Sequence, residues 1–480
     1  MNQPKLEQPA TFRRSLGLLD ATAIVVGSMI GSGIFIVSAD ILRNVGTANN
    51  LILVWIVTGL MTMTAALSYV ELTAMYPKAG GQYVYLGEAF GKLTGFVYGW
   101  SLFAVIQTGT IAAVGVAFSK FAAYLFPFMS EKNYLIGDAT TSFRLSVAQI
   151  VSIVIILLLT YINTRGIQSG KWIQSSLTLI KALAMGVLLL FGFFTATDPT
   201  IWTNNWASGS DMANLRLLNG SVVATPVLGI WGFFSTLAVA SIGSIFSSFA
   251  WENVASVAEE VKKPERNIPL ALLCGTLVVT LIYVAINVMY LKVLPLQQIA
   301  FAENDRVAVE AAKAIFGPIG TSLIAVMIMI ATFSCINGLV FSGARVYYKM
   351  AEDKLFFQQA AVLNQNGVPA QALWFQGIWA SVLCLSGKYG DLLDYVTFAV
   401  VLFYALTIVG VIVLRIKRPD VARPYKAIGY PIIPMLYIAL CAGLLAALLI
   451  CKPAFTWPGL LIVLAGIPIY YIVVERKNKI

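Results

Sequence analysis

Apolar runs of about 20 residues, enough to cross a hydrocarbon core as a helix, recur along the whole 480-residue chain. The pattern predicts an all-α polytopic membrane protein with about twelve spans. They fall at residues 16–43, 51–76, 93–126, 146–163, 172–195, 227–258, 268–292, 317–350, 371–387, 392–415, 430–451 and 457–474. Two of these runs are interrupted. The first holds Gly27-Ser28-Met29-Ile30-Gly31-Ser32-Gly33-Ile34-Phe35 at its middle, and each glycine costs about 1 kcal/mol against alanine in a helix. The sixth holds Gly243-Ser244-Ile245-Phe246-Ser247-Ser248-Phe249-Ala250-Trp251-Glu252-Asn253. Broken backbone at membrane depth is tolerated only where it lines a protein cavity, because unsatisfied N–H and C=O groups cost several kcal/mol in lipid.

The two breaks lie five spans apart, an odd number, so the two halves of the chain have opposite orientations. Paired interruptions in such halves point to a carrier with a five-plus-five inverted repeat. The expected division is a tail at 1–15, a first repeat at 16–195, a second at 196–415 with an outer loop at 196–226, and a region 416–480 holding two extra helices and a C-terminal tail. The loops 196–226 and 293–316 are read as surface helices or a cap. Asn219-Gly220-Ser221 is a formal glycosylation sequon there. The polar N-terminus has no small-residue cleavage pattern, so no cleaved signal peptide is expected.

Composition agrees with the pattern: 59% hydrophobic and 11% charged residues, with mean hydropathy +0.82, against about 25% charged in soluble chains. The net charge of +10 would suggest nucleic acid in a soluble protein. Here the cations sort to one side: Lys5, Arg13, Arg14, Lys78, Lys92, Arg165, Lys171, the 262–266 cluster, Arg345 to Lys354, Arg415 to Lys426 and Arg476 to Lys479. That is the bias of cytoplasmic loops, so both termini are expected in the cytoplasm of a multi-pass plasma-membrane (bacterial inner-membrane) protein, with no nucleic-acid partner. Cys274, Cys335, Cys384, Cys441 and Cys451 have no paired spacing and read as inert buried thiols. There is no histidine, which removes histidine metal sites, histidine proton relays and Ser-His-Asp catalysis. No metal, cofactor or enzymatic activity is expected.

The breaks suit a free amino acid, whose carboxylate and ammonium lie a few ångströms apart. The second half of span 1, starting near Gly31 to Gly33, presents free N–H groups and a positive dipole end to a carboxylate, and Ser32 adds a hydroxyl. The first half of span 6, ending near Phe246 to Phe249, leaves carbonyls for an ammonium. The candidate substrate contacts are Ser28, Met29, Ile30, Gly31, Ser32, Gly33, Phe246, Phe249, Ala250, Glu252 and Asn337. The alternative for the glycines is close helix packing alone.

Further segments carry a resemblance. Ala66-Leu67-Ser68-Tyr69-Val70-Glu71-Leu72 with Tyr76-Pro77-Lys78-Ala79-Gly80-Gly81-Gln82-Tyr83-Val84-Tyr85, and Ala258-Glu259-Glu260-Val261-Lys262-Lys263-Pro264-Glu265-Arg266-Asn267-Ile268-Pro269, follow the two breaks. Arg423-Pro424-Tyr425-Lys426 and Gly429-Tyr430-Pro431 come later. Together with Gly27 to Phe35 the chain resembles the amino acid–polyamine–organocation transporters, nearest in pattern to the bacterial L-type branch. The resemblance implies the five-plus-five fold and transport by alternating access. It also implies that Lys181, deep in span 5, stands where sodium-coupled members hold an ion, contacting Gly27 and Ser334; a snorkelling lysine is the alternative. Glu252 aligns with an acidic residue of arginine/agmatine exchangers, Phe246 with their aromatic gate and Ala250 with a frequent glycine. Leu339 stands where those exchangers place a tryptophan, which favours neutral substrates. The alternative for Glu252 is a structural acceptor role, for Asn253 or a loop.

The expected function is therefore a sodium-independent amino-acid transporter, an exchanger or proton-coupled, for neutral L-amino acids. The alternatives are a cationic amino-acid or polyamine exchanger and, from another class, a receptor that binds without transport. In animal relatives a cysteine between spans 3 and 4 joins a glycoprotein; residues 127–145 contain none, so no disulfide-linked heavy subunit is expected. Glu71, Glu259, Glu260 and Arg345 are read as structural ion pairs near the inner face.

Overall fold

The computed structural model describes residues 14–137, 145–195, 198–385 and 389–478; the charges at Lys5, Arg13 and Lys479 lie outside them. Among the described residues ten helices are long and apolar enough to cross a membrane, and the bent pair Leu18–Met29 and Gly33–Val45 makes eleven. That pair is span 1. Spans 2 to 5 are Ala48–Met75, Lys92–Leu125, Val147–Thr164 and Ile167–Phe194. Span 6 is Gly229–Ser248, followed after its break by the single turn Asn253–Ser256. Spans 7 and 8 are Pro264–Val293 and Val307–Glu352, and spans 10 to 12 are Tyr389–Lys417, Ile432–Cys451 and Pro453–Asn478. The expected ninth span is Ala370–Cys384, whose 15 residues rise only about 22 Å. It packs against spans 3, 4 and 8.

The breaks follow from local chemistry. Span 1 bends by 41° where Ile30 to Ser32 leave the helix. Its second half ends at Gly46, left-handed at φ 77°, a conformation cheap only for glycine. Thr47 then caps span 2 by accepting from the Asn50 N–H, so the chain turns back within two residues. A Cβ on Gly33 would lie 1.9 Å from Ser247 Oγ, and one on Gly243 would lie 2.8 Å from Val37. The second half of span 1 and the first half of span 6 therefore run in backbone-close contact, and the two breaks sit side by side.

One end of the bundle gathers Leu16, the 76–91 segment, 258–263 and 415–431. There Ser15 N and Leu16 N donate to Glu260 O, each at 3.0 Å, and Lys262 N donates to Leu16 O at 2.8 Å. Buried Glu71 takes Arg415 at 2.6 and 2.9 Å and the Ala427 N–H at 2.7 Å. Glu260 pairs with Arg345 at 2.9 Å, both side chains 1% exposed. Glu259, expected in an ion pair, accepts instead from Ala79 N at 3.1 Å. At the other end Arg43 reaches Asp305 at 2.6 Å, and Asn205 reaches Leu291 O and Leu294 O. Outward faces between the ends are apolar: Leu179, Leu183, Leu281 and Leu461 are 60–62% exposed, as lipid contact requires.

The outer connections hold short helices as read from the sequence, Pro199–Ala207 in the first and Leu296–Ala300 in the second, and depart from that reading elsewhere. Only Pro199–Ala207 is helical in the first; Ala213–Leu218 and Ser221–Pro226 form an antiparallel hairpin. Asn219 (φ 51°) and Gly220 (φ 79°) make its turn, the Asn-Gly pair that tight hairpins favour. In the second connection Val307 to Phe316 is already helix, kinked into span 8 at Gly317 (φ 69°). The cysteines are free, but Cys274 and Cys451 are exposed rather than buried.

Candidate functional site

Four consecutive carbonyls at the span 1 break are held by side chains of other spans. Lys181 of span 5 donates from Nζ to Gly27 O at 2.6 Å and Ile30 O at 2.9 Å. Cys335 of span 8 donates to Ser28 O at 3.2 Å. Tyr283 of span 7 places its hydroxyl 2.9 Å from Met29 O and 3.0 Å from Ser247 O, touching both breaks. An edge-to-face contact with Trp55, centroids 5.3 Å apart, fixes the Tyr283 ring. Lys181 is 1% exposed, so it does not snorkel. Its Nζ stands among the carbonyls of the break.

Gly31 has no room for a side chain, since a Cβ there would lie 2.9 Å from Cys335 Sγ. The N–H groups of Gly33 and Ile34 open the second half-helix without a partner on their own helix, while the Phe35 N–H already donates to Ser32 O at 3.1 Å. Ser28, Met29, Ile30 and Ser32 are all buried beside them. Across the gap, span 6 stops at Ser248; Phe249 is extended and Ala250 is left-handed at φ 68°. That φ explains why glycine suits the position of Ala250. Phe246 and Phe249 pack edge to face, centroids 5.0 Å apart, over the end of the half-helix whose last carbonyls are unpaired along its own axis.

Three expected residues fall elsewhere. Glu252 does not face the span 1 break: its Oε2 accepts from Tyr404 of span 10 at 2.5 Å, and the Tyr404 hydroxyl accepts the Ala250 N–H at 3.4 Å. Asn337 accepts from Asn163 of span 4 at 2.8 Å. It lies two residues past Cys335, about 200° around the helix, and so points away from the break. Ser334 Oγ is buried without a hydrogen bond and is not a partner of Lys181. Tyr283 and Tyr404 went unread in the sequence, and Cys335 was read only as an inert buried thiol. A tyrosine or cysteine inside an apolar run carries no periodic signal, and Tyr283 is one of 20 tyrosines. No group of three or more Cys, Asp or Glu side chains could hold a metal among the described residues.

Two helices broken side by side inside a lipid-facing bundle, with backbone donors from one and acceptors from the other, define a membrane carrier of small zwitterions. The chain belongs to the amino acid permease family, whose model matches residues 16–474; the family is one of transporters, not enzymes. It is 29% identical to the serine/threonine exchanger SteT of Bacillus subtilis (strain 168), over 97% of this chain and 98% of that one. It is 28% identical to the human large neutral amino acids transporter small subunit 2, over 98% of this chain and 82% of the relative. The human b(0,+)-type amino acid transporter 1 is 26% identical over 98% and 90%.

Proposed function

We propose that this chain is a sodium-independent exchanger of neutral L-amino acids in the plasma membrane, with both termini cytoplasmic. The observation that carries the reading is the Lys181 ammonium bridging Gly27 O and Ile30 O. Unwound carbonyls at a broken helix are a cation site, and a covalently attached cation fills this one, so transport needs no sodium ion there. In this reading the substrate carboxylate meets the N–H groups of Ser32 and Gly33, the Gly31 N–H being held by Met29 O at 2.9 Å, and its ammonium meets the carbonyls at the end of the first half of span 6. Phe246 and Phe249 cover the side chain. Glu252, turned to Tyr404, leaves the region beside the breaks without a carboxylate, which favours neutral over cationic side chains. The names of the relatives, a serine/threonine exchanger and a large-neutral transporter among them, support the same substrate class.

The five-plus-five division at 16–195 and 196–415 follows from the position of the two breaks. The end holding Lys78, Lys262, Lys349 and Arg415 to Lys426 is the cytoplasmic one by charge. With no cysteine at 127–145, the carrier works without a disulfide-linked subunit. Counterflow of a labelled amino-acid panel in proteoliposomes tests the function. Exchange of serine, threonine or larger neutral amino acids in sodium-free buffer is the expected result. Binding without counterflow would make the chain a receptor, and flux into empty vesicles driven by a proton gradient would replace exchange with proton-coupled uptake.

A further inference from the structure

At the outer end of the bundle, away from both breaks, a cavity of about 190 Å³ opens between the ends of spans 3 and 4 and the 293–316 connection. Lys120, Lys132 and Arg306 line it together with Glu131 and Glu303. Cations are scarce at this end by the charge bias of the chain, yet three meet here around one space. Rim and floor differ. Glu131, Lys132 and Glu303 are exposed, whereas Arg306 is 8% exposed. Its position is fixed from several sides. The turn Glu303–Asp305, with Asn304 and Asp305 left-handed at φ 53° and 61°, carries it into the wall, and Arg43 anchors that turn through Asp305 at 2.6 Å. The guanidinium lies 5.3 Å over the Tyr124 ring, and the Tyr124 hydroxyl donates to Thr321 Oγ1 at 2.6 Å.

That mooring uses little of the guanidinium fork. Arg306 Nε donates to Glu303 O at 3.3 Å. Its one carboxylate neighbour among the described residues, Glu303, keeps Oε1 3.6 Å from Nη2, outside hydrogen-bond reach. The N–H groups of both terminal nitrogens are left for whatever enters the cavity, in the geometry that takes a carboxylate through two parallel bonds. An anion alone would also meet Glu131 and Glu303, and a cation alone would meet Arg306 and two lysines; a ligand carrying both charges suits both sets. We infer that this cavity is a second binding position for a small zwitterion, a free amino acid, whose carboxylate takes Arg306 and Lys132 and whose ammonium takes Glu131 and Glu303. The space is many times the roughly 10–15 Å³ that one water needs, and its apolar wall is Ala123, Pro127 and Ala148, small groups that suit a short side chain. None of the residues at the breaks lines it. The choice of an amino acid, and the outward orientation, rest on the exchange reading; the paired charges do not.

Equilibrium dialysis of labelled serine against purified wild type, Arg306→Gln, Arg306→Lys and Lys132→Gln counts the sites, with counterflow and the thermal unfolding midpoint measured on the same preparations. Wild type is expected to bind two serines per chain. Arg306→Gln binds one and keeps counterflow through the central site. Arg306→Lys keeps the charge and loses the fork, and Lys132→Gln removes a charge from the exposed rim; each weakens the second serine roughly tenfold or more. Two fragments of serine test the pairing of charges: 3-hydroxypropanoate lacks the ammonium and ethanolamine lacks the carboxylate, and neither displaces the second serine where unlabelled serine does. One serine per chain in a wild type that exchanges would overturn the inference, as would a second serine held equally well in Arg306→Gln. Displacement by either fragment as readily as by serine would overturn it too, making the cavity a site for a single charge. Where Arg306→Gln lowers the unfolding midpoint, Lys132→Gln decides, since its side chain is on the surface. Absence of serine counterflow in wild type would sink the exchange reading instead, and a serine bound in wild type but lost in Arg306→Gln would still assign the cavity.

Discussion

Replacing Lys181 separates holding the break from holding the fold. Its two charge-assisted hydrogen bonds, at 2.6 and 2.9 Å, are worth about 1.5–3 kcal/mol each, or about 3–6 kcal/mol together. Placing a lysine at that depth costs about 2.5–3.5 kcal/mol. The two terms partly offset, so Lys181→Met, which keeps much of the volume and removes the charge, changes global stability by no more than about 3.5 kcal/mol. Transport does not enjoy the same offset. The methionine leaves Gly27 O and Ile30 O unpaired and frees residues 27–30 to sample geometries in which the substrate N–H groups no longer converge. At 1.4 kcal/mol per decade, losing about 3 kcal/mol of restraint slows exchange about 100-fold. The assay is serine counterflow in proteoliposomes of matched protein content, with thermal unfolding of the same preparations as the stability control. Wild-type exchange in Lys181→Met or Lys181→Ala would refute the argument. So would a loss of exchange that merely tracks unfolding.

Gly33→Ala places a methyl group 1.9 Å from Ser247 Oγ and should abolish counterflow, while Gly33→Ala with Ser247→Gly should recover part of it. Tyr283→Phe removes the hydroxyl that lies against Met29 O and Ser247 O, a loss of about 1–3 kcal/mol. The expectation is a fall of roughly tenfold or more in maximal exchange rate with KM changed less, measured by initial rates against serine concentration. Glu71→Gln leaves Arg415 without its buried partner and should lower stability by about 3 kcal/mol, read as a lower unfolding midpoint; exchange per folded molecule should be retained.

The breaks were legible because they violate what the rest of each span obeys. Three glycines between Gly27 and Gly33 are costly in a helix and useful only in one that stops, and Gly33 meets Ser247 where the reading expects two breaks side by side. Lys181 was legible for the same reason, as a charge where lipid permits none. What the sequence did not reveal is which neighbour each group faces. Asn337 sits in regular helix, and nothing in the sequence said which side of span 8 faces the break. Glu252 was assigned by alignment with the 258–269 segment, yet the side a residue faces near a break depends on backbone that leaves helical geometry. Ala250, left-handed at φ 68°, rotates everything after it, which carries Glu252 toward Tyr404. The hairpin at 213–226 was missed because its strands are short and its Asn-Gly turn was read as a glycosylation signal. The ninth span was counted from hydropathy alone, and its 15 residues are reconciled by packing against spans 3, 4 and 8.

Clips on Gly27 O to Ile30 O from spans 5, 7 and 8 have unequal strengths, and that inequality orders the motion that exchange requires. A segment tied to three different helices cannot travel as a rigid part of any one of them, so alternating access must release some ties and keep others. The thiol of Cys335 is the weakest donor. Tyr283 has one proton to share between Met29 O and Ser247 O, so it satisfies one break at a time and can pass from one to the other without leaving its own bond unmade. Lys181 alone holds two carbonyls with a full charge. The first half of span 1 should therefore pivot about the Lys181 contact, slipping past Cys335 while the Tyr283 proton changes partner. On that order of events a Cys335→Ser substitution, with a stronger donor, slows the pivot rather than speeding it. Faster exchange in Cys335→Ser would place the rate-limiting tie elsewhere.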